Sequence, residues 1–87
     1  MKEIKITVPE YDNGIELIWE ANYKIKTSAP FYSLTIEANR EGLISLARHI
    51  LHLAQKDVPN GSHFHLDEFN SLENGSLELI VSKNEAL

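Results

Sequence analysis

Apolar and polar residues alternate along the first twenty residues of the chain, with one break in the middle. The alternation covers residues 4–8 and again residues 15–20, and a period of two is typical of half-buried strands. The Asp-Asn-Gly cluster at residues 12–14 favours a turn. The pattern therefore predicts a β-hairpin at the start of the chain, in which Trp19 shares the core-facing side of its strand.

The middle of the chain predicts another strand and the start of a helix. A weaker alternation over residues 23–27 either extends the second strand past a bulge or forms a separate edge strand. After Pro30, residues 31–38 are rich in aromatic and β-branched side chains, which favour a strand. Asn39 then suits the N-cap of a helix, because its side chain can accept from the free amides of the first turn. Glu41 places a negative charge near the positive helix end.

Residues 40–56 have the periodicity of one amphipathic helix. Its apolar residues recur at spacings of three and four, and we expect them to face the core. These residues are Leu43, Leu46, Ala47, Ile50, Leu53 and Ala54. The opposite side is predicted to carry Glu41, Ser45, Arg48, His52 and Gln55. Pro59 and Gly61 then end the helix and turn the chain.

The C-terminal third predicts a second hairpin, because Asn74-Gly75 is a preferred pair for a two-residue type I′ turn. That turn sets Leu66 opposite Lys83. On this register one face of the hairpin is apolar and comprises Phe64, Leu66, Leu77, Leu79 and Val81. The other face carries His63, His65, Asp67, Phe69 and Ile80.

Together these elements predict one α+β domain spanning residues 1–87. The expected architecture is an antiparallel sheet of four to five strands with one helix on one face, in the order β-β-(β)-β-α-β-β. One helix covers one face of such a sheet, and we assign it to the side of Phe64 and Leu79. The histidine face is then uncovered, and its aromatic, imidazole and carboxylate groups suit the docking of a partner.

The composition narrows the function classes. The chain has 87 residues, too few for two cores, and no cysteine, which removes disulfides and thiolate metal sites. Its formal net charge of −5 disfavours nucleic-acid binding and favours basic protein partners. The N-terminus alternates charged and apolar residues, and no stretch approaches the length of a membrane span. We therefore expect a cytoplasmic protein that binds neither membrane nor nucleic acid.

The histidines raise the question of a metal site. The side chains of His63, His65 and Asp67 share one side of a strand, a usable spacing for metal ligands, yet a structural zinc site usually has four. Solvated polar pairing and partner contact are the other interpretations of this trio. We expect His49 and His52, one helical turn apart, to be solvated. We predict no cofactor and no enzyme activity, since no serine lies in a nucleophile-elbow context and nothing visibly raises a carboxylate pKa.

Three segments carry a family resemblance: NREGLISLA at residues 39–47, GSHFHLDEFNSL at 61–72 and GSLELI at 75–80. Taken together they resemble the immunity protein 32 family of bacterial polymorphic toxin systems. The resemblance implies a small cytoplasmic protein that binds a cognate toxin domain, occludes its active site and performs no catalysis. Several residues in these segments have no simple folding explanation, and we predict that they contact the partner. They are His63, His65, Asp67, Glu68, Phe69 and Asn70.

Two alternatives stay open at this stage. The first is a small metal- or ligand-binding protein or enzyme that uses His63, His65 and Asp67, with a dimer interface completing the ligand set. The second is an oligomeric regulatory module in which the open sheet face or an edge strand associates with another copy. Both a monomer and a homodimer are compatible with the sequence.

Overall fold

The computed structural model describes residues 1–87 and contains one helix and four short strands. Strands β1 (Ile25–Ser28) and β2 (Thr35–Ala38) form one antiparallel pair, and helix α1 (Arg40–Leu53) follows. Strands β3 (His63–Leu66) and β4 (Leu79–Ser82) form a second antiparallel pair. The α+β class is confirmed, whereas the single sheet of four to five strands is wrong, because the strands form two separate sheets of two.

The predicted N-terminal hairpin is absent, and residues 1–24 contain no strand. Side chains of the helix and of Gln55 just after it form hydrogen bonds with backbone amides that would pair with a neighbouring strand in a hairpin. Ser45 Oγ accepts from the amide of Glu20 at 2.8 Å, and Gln55 Oε1 accepts from that of Tyr11 at 3.2 Å. The alternating pattern still predicted burial over residues 15–19, where half-buried side chains pack against the core, whereas Ile4 of the first alternation is 71% exposed. The half-buried side chains of the N-terminal segment that pack against the core include Tyr11, Ile15, Leu17 and Trp19.

The helix buries a different side from the predicted one. Its buried residues are Gly42, Ser45, Leu46, His49, His52 and Leu53. Leu43 and Ile50, predicted to face the core, are about half exposed. The N-terminal segment explains the rotation, because it covers the polar side of the helix and supplies backbone partners for the polar groups there. At 14 residues, the helix is also too short to cross a lipid bilayer.

The start of the helix is fixed as the sequence predicts. Asn39 is the N-cap, and its Oδ1 accepts from the amide of Gly42 at 2.8 Å. The same oxygen accepts from the amide of Lys24 at 2.9 Å, and Asn39 Nδ2 donates to the carbonyl of Asn22. One side chain therefore caps the helix and holds the segment that leads into β1.

The register of β3 and β4 differs from the prediction by four residues. Leu66 lies opposite Leu79 instead of Lys83, and residues 67–78 form a long connection instead of a two-residue turn. A turn does exist at Asn74-Gly75, with the amide of Ser76 donating to the carbonyl of Glu73. Only Gly75 has a positive φ (84°), so the turn is of type II and not type I′.

The cause of the shift is competition by β1 for the same backbone. The amide of Glu73 donates to the carbonyl of Ile25, and that of Leu77 donates to the carbonyl of Thr27. Ser76 Oγ accepts from the amide of Thr27, whose hydroxyl donates to the carbonyl of Leu77. Residues 73–77 are therefore held against β1 and link the two sheets, which prevents them from pairing with the end of β3.

The helix and the second sheet share one core. Eight buried apolar residues form it: Ile25, Leu46, Leu53, Val58, Phe64, Leu66, Leu72 and Leu79. The prediction that the helix packs on the Phe64 and Leu79 face is therefore confirmed. The ring of His49 lies between Trp19 and Phe64, with edge contacts to both at centroid distances of 4.3 and 5.8 Å.

The hairpin of β1 and β2 turns through an unusual backbone conformation. The predicted strand 31–38 begins only at Thr35, because Pro30–Tyr32 forms a short 3-10 turn closed by the amide of Ser33 on the carbonyl of Pro30. Phe31 and Tyr32 both have positive φ, 53° and 66°. Such a left-handed conformation costs roughly 1–2 kcal/mol for each residue that is not glycine.

Candidate functional site

The outer face of the β3–β4 sheet is open to solvent. His63, His65 and Ile80 are exposed on it, whereas Phe64 and Leu66 on the other face are buried. Within β3 and β4 the separation of faces predicted from the sequence thus holds in spite of the register error, whereas Leu77, predicted on the buried face, lies in the connection and is 48% exposed. A shift of four is even, and an even shift leaves every side chain on the face first assigned to it.

The connection from residue 67 to residue 78 is built by side chains predicted to contact a partner. Asp67 Oδ1 accepts from the amides of Phe69 and Asn70 at 2.8 and 3.1 Å, and Asn70 Oδ1 accepts from the amide of Asp67 at 3.0 Å. Glu68 Oε2 accepts from the amide of Gly75 at 2.7 Å. Asp67, Glu68 and Asn70 therefore have a folding role that the sequence interpretation did not assign to them.

The side chain of Phe69 has no such folding role in the connection. Its side chain is 90% exposed at the tip of the first turn after β3. On the outer face of the sheet, Ile80 is 57% exposed. Exposed aromatic and aliphatic side chains are the kind of surface that gains most from being covered by another protein.

His65 pairs with a carboxylate that the sequence did not place beside it. His65 Nδ1 lies 3.4 Å from Glu78 Oε2, and both side chains are about half exposed. The register explains the omission, because continuing the observed pairing past Leu66 and Leu79 brings Asp67 and Glu78 together. The spacing Asp-x-x-Asn at 67–70 was the available signal, since it favours a turn directly after β3.

The structure groups three candidate metal ligands, but not the predicted trio. The ligand atoms of His65, Asp67 and Glu78 lie within 4.8 Å of one another, and His63 is outside this group. The contact between His65 and Glu78 already accounts for their proximity, and one oxygen of Asp67 accepts two amides. Three ligands, two of them exposed, are fewer than a structural zinc site uses.

The two histidines of the helix are buried and not solvated as predicted. Both have 0% exposure. His52 Nδ1 donates to the carbonyl of Pro9 at 2.8 Å, and its Nε2 accepts from the amide of Glu16 at 3.1 Å. His49 Nε2 donates to the carbonyl of Ile18 at 3.0 Å, while its Nδ1 has no partner. Burial lowers the pKa of His49, and this ring serves packing instead of the surface site.

The charge of the molecule is concentrated in the same region as the open face. Residues 57–82 carry five carboxylates and no lysine or arginine, whereas the rest of the chain has eight acidic and eight basic residues. The five are Asp57, Asp67, Glu68, Glu73 and Glu78. The whole formal net charge of −5 thus comes from the segment that forms β3, β4 and their connection. A field of one sign on one surface steers an oppositely charged partner to it.

The surface depressions of the molecule lie away from this face. One of about 280 Å³ is lined mainly by residues of β1 and β2, and one of about 200 Å³ lies between the helix end and β4. Neither is lined by His63, His65 or Asp67. The candidate site is therefore an exposed surface and not a pocket for a small molecule.

A family model described as immunity protein 32 matches residues 33–84, which is more than half of the chain. The chain belongs to the immunity protein 32 family. The family segment contains β2, the helix, β3, β4 and the acidic connection, and it begins after Phe31 and Tyr32. The family suggests a role other than catalysis and a toxin as partner. Neither the curated proteins nor the solved structures provide a significant match.

Proposed function

We propose that this protein is an immunity protein that binds a cognate bacterial toxin domain through residues 57–82 and occludes its active site. It performs no catalysis of its own and acts in the cytoplasm of the cell that it protects. The observation that carries the proposal is the coincidence of three features in one segment. The open β3–β4 face, the whole net negative charge and half of the family match all lie there.

The physical basis is electrostatic attraction followed by burial of apolar surface. The segment carries five carboxylates and no lysine or arginine of its own, so it attracts a basic surface, and the attraction raises the association rate. Glu73 and Glu78 are exposed. For a toxin that acts on nucleic acid, these carboxylates would occupy the place of substrate phosphates. Phe69 and Ile80 then lose their exposure to water, which slows dissociation.

The first experiment tests the function itself. The toxin domain encoded beside this gene is expressed in bacteria with and without this protein, and growth and complex formation are measured. We expect growth to be restored and a stoichiometric complex to elute on gel filtration. Growth arrest in the presence of well-folded protein, with no complex, would overturn the proposal.

The second experiment tests the acidic surface. Glu73→Gln combined with Glu78→Gln removes two charges without removing a hydrogen bond that the loop uses, because the carboxylates of Asp67 and Glu68 make those bonds. We expect the association rate to fall about tenfold at low salt and to lose part of its salt dependence. Glu3→Gln combined with Glu10→Gln is the matched control, because these carboxylates lie outside the segment. Equal effects of both pairs would show that only total charge matters.

The third experiment tests the predicted contact residues. Phe69→Ala and His65→Ala change side chains that make no hydrogen bond within the loop, whereas Asp67→Ala also removes the turn. We expect Phe69→Ala to raise the dissociation rate of the complex, with an unchanged melting temperature of the free protein. A complex that tolerates both Phe69→Ala and His65→Ala has its interface on another surface.

A further inference from the structure

The tip of the β1–β2 hairpin displays two aromatic side chains to solvent. Phe31 is 96% exposed and Tyr32 is 106% exposed, and neither ring stacks on another aromatic ring in the molecule. Burial in the core thus gives no reason for aromatic residues at these two positions. Most large apolar side chains of a small domain are needed inside it, so two adjacent ones fully outside call for another explanation.

The backbone at the tip is unfavourable for these residues. Phe31 adopts φ 53° and ψ 39°, Tyr32 adopts φ 66°, and the amide of Ser33 donates to the carbonyl of Pro30 at 3.0 Å. Two consecutive positive φ angles are the mark of a type I′ turn, for which Asn-Gly is the preferred pair. An aromatic pair there makes the free protein less stable than it could be. Strained positions of this kind are typical of functional contacts.

The surroundings of the tip have the composition of an interface centre. Residues 27–36 contain no charged side chain, and two further exposed aliphatic residues, Leu34 and Ile36, follow the aromatic pair. Charged residues are depleted and aromatic residues enriched at the centre of protein interfaces. The tip protrudes from a two-stranded hairpin, so it fits a concave partner surface better than a flat one.

The β1–β2 hairpin that carries the tip adjoins the acidic segment. Thr27, two residues before the loop of the hairpin, is hydrogen-bonded to Ser76 and Leu77, which lie between Glu73 and Glu78. A partner bound to the acidic surface therefore has the hairpin at its border. The family segment begins at residue 33, so the aromatic pair stands just outside the part of the chain that matches the family model.

We infer that Phe31 and Tyr32 form an aromatic anchor that inserts into a concave, apolar pocket of the toxin domain and selects the cognate toxin. This inference rests on the proposed function. The acidic segment provides attraction to any basic toxin surface, whereas the anchor requires a pocket of matching shape. Insertion removes two large rings from water, which slows dissociation more than it affects association.

The first test uses the free protein and needs no toxin. The double substitution Phe31→Asn, Tyr32→Gly supplies the residues that a type I′ turn favours. We expect the melting temperature to rise by about 5 °C, because the strain is removed while no core contact is lost. A fall in melting temperature would show that the two rings support the fold, and this would overturn the inference.

The second test measures binding to the toxin domain encoded by the adjacent gene. We expect both Phe31→Asn, Tyr32→Gly and the truncation Phe31→Ala, Tyr32→Ala to weaken the complex about thirtyfold or more, mainly through faster dissociation. The alanine pair removes the rings and keeps the residues non-glycine, so it separates loss of the rings from relief of strain. Leu51→Ala, which truncates an exposed aliphatic residue of the helix, is the control and should bind as the unsubstituted protein does.

The outcomes distinguish the inference from the proposed function. Unchanged affinity of both tip variants, with normal binding of the unsubstituted protein, overturns the anchor and leaves the immunity function standing. Failure of the unsubstituted protein to bind or protect overturns the immunity function and the anchor with it. Sedimentation of the free protein completes the test, because a dimer that dissociates on tip substitution would assign the rings to contact between copies.

Discussion

Gly42 is the residue whose side chain is most strictly limited by packing. It lies in the first turn of the helix, where a Cβ would come within 2.9 Å of Ile25 Cγ1 and still closer to the carbonyl oxygen of Lys24. That carbonyl cannot readily move, because it accepts from the amide of Asn39 at 3.1 Å. The absence of a side chain at residue 42 thus allows the helix to approach the start of β1.

A single methyl group added at residue 42 should therefore have a strong effect on stability. We expect Gly42→Ala to lower the free energy of unfolding by about 2–3 kcal/mol through overpacking, although alanine favours helices in general. Urea denaturation followed by circular dichroism measures the change. Gly14→Ala is the matched control, since nothing lies within 4 Å of a Cβ there. A Gly42→Ala protein as stable as the control would contradict the close approach.

His49 makes the fold sensitive to acid. Burial lowers its pKa below the ordinary value of 6.5, and the nearby Arg48 and His52 lower it further against the opposing effect of the Ile18 carbonyl. Below pH 6.5 the unfolded chain then binds more protons than the folded one. Stability contributed by neutral His49 is therefore present above this pH and is lost as the pH falls.

The prediction is a decrease in the urea midpoint between pH 7 and pH 5. His49→Gln keeps an N–H donor for the Ile18 carbonyl but does not titrate, so its midpoint should decline less over the same range. His63→Gln, an exposed position, is the control and should follow the unsubstituted protein. Parallel curves for His49→Gln and the unsubstituted protein would refute this role.

At the scale of elements, the features that the sequence predicts correctly are those that depend on residues close together in the chain. The cap at Asn39 was predictable, because the cap and its partner amide are three residues apart. The side of the helix that is buried was not, because Ser45, His49 and His52 are buried by contacts with residues 9–20, far away in sequence. Polar residues look solvent-facing in a sequence unless their distant backbone partners are known.

The connection between β3 and β4 shows the same limit. Asn74-Gly75 does mark a turn, but the bonds from residues 73–77 to β1 are non-local and determine where the β3–β4 pairing stops. The outer face of β3 and β4 was predicted correctly in spite of the register error, because burial along a strand alternates with a period of two. The position of Glu78 beside His65 was missed because it required the true register, whereas the turn role of Asp67 is local and the Asp-x-x-Asn spacing was its available signal.

Asp67 should therefore matter to the free protein. We expect Asp67→Ala to lower the free energy of unfolding by about 1 kcal/mol, because the amides of Phe69 and Asn70 lose their acceptor. Glu78→Ala, which removes only a half-exposed contact with His65, should change the free energy of unfolding far less. Thermal unfolding of the two variants gives the comparison. An Asp67→Ala protein with an unchanged free energy of unfolding would show that this carboxylate does not stabilise the fold.

At the scale of the whole molecule, the surfaces proposed to bind the toxin overlap only in part with the residues that form the core. The helix, the N-terminal segment and the inner face of β3 and β4 hold the core together. The outer face of β3 and β4 and the hairpin tip lie outside it, whereas the connection contributes Leu72 and is hydrogen-bonded to β1 at the buried Thr27. On the proposed function, the specificity for a toxin can therefore change through the tip and the outer face while the core stays the same.

The way in which the N-terminal segment is attached has a consequence for its motions. Among the first twenty residues, only the amides of Tyr11, Glu16 and Glu20 donate hydrogen bonds, and they donate to side chains of the helix or, for Tyr11, to Gln55 just after it. We expect deuterium exchange to show three slow amides surrounded by fast ones, instead of the alternating protection of a strand. Ser45→Ala should release the Glu20 amide selectively. Uniform protection across residues 4–20 would instead reveal a paired strand in solution. The segment should thus open and close at three separate points, at a lower free energy than the rest of the fold.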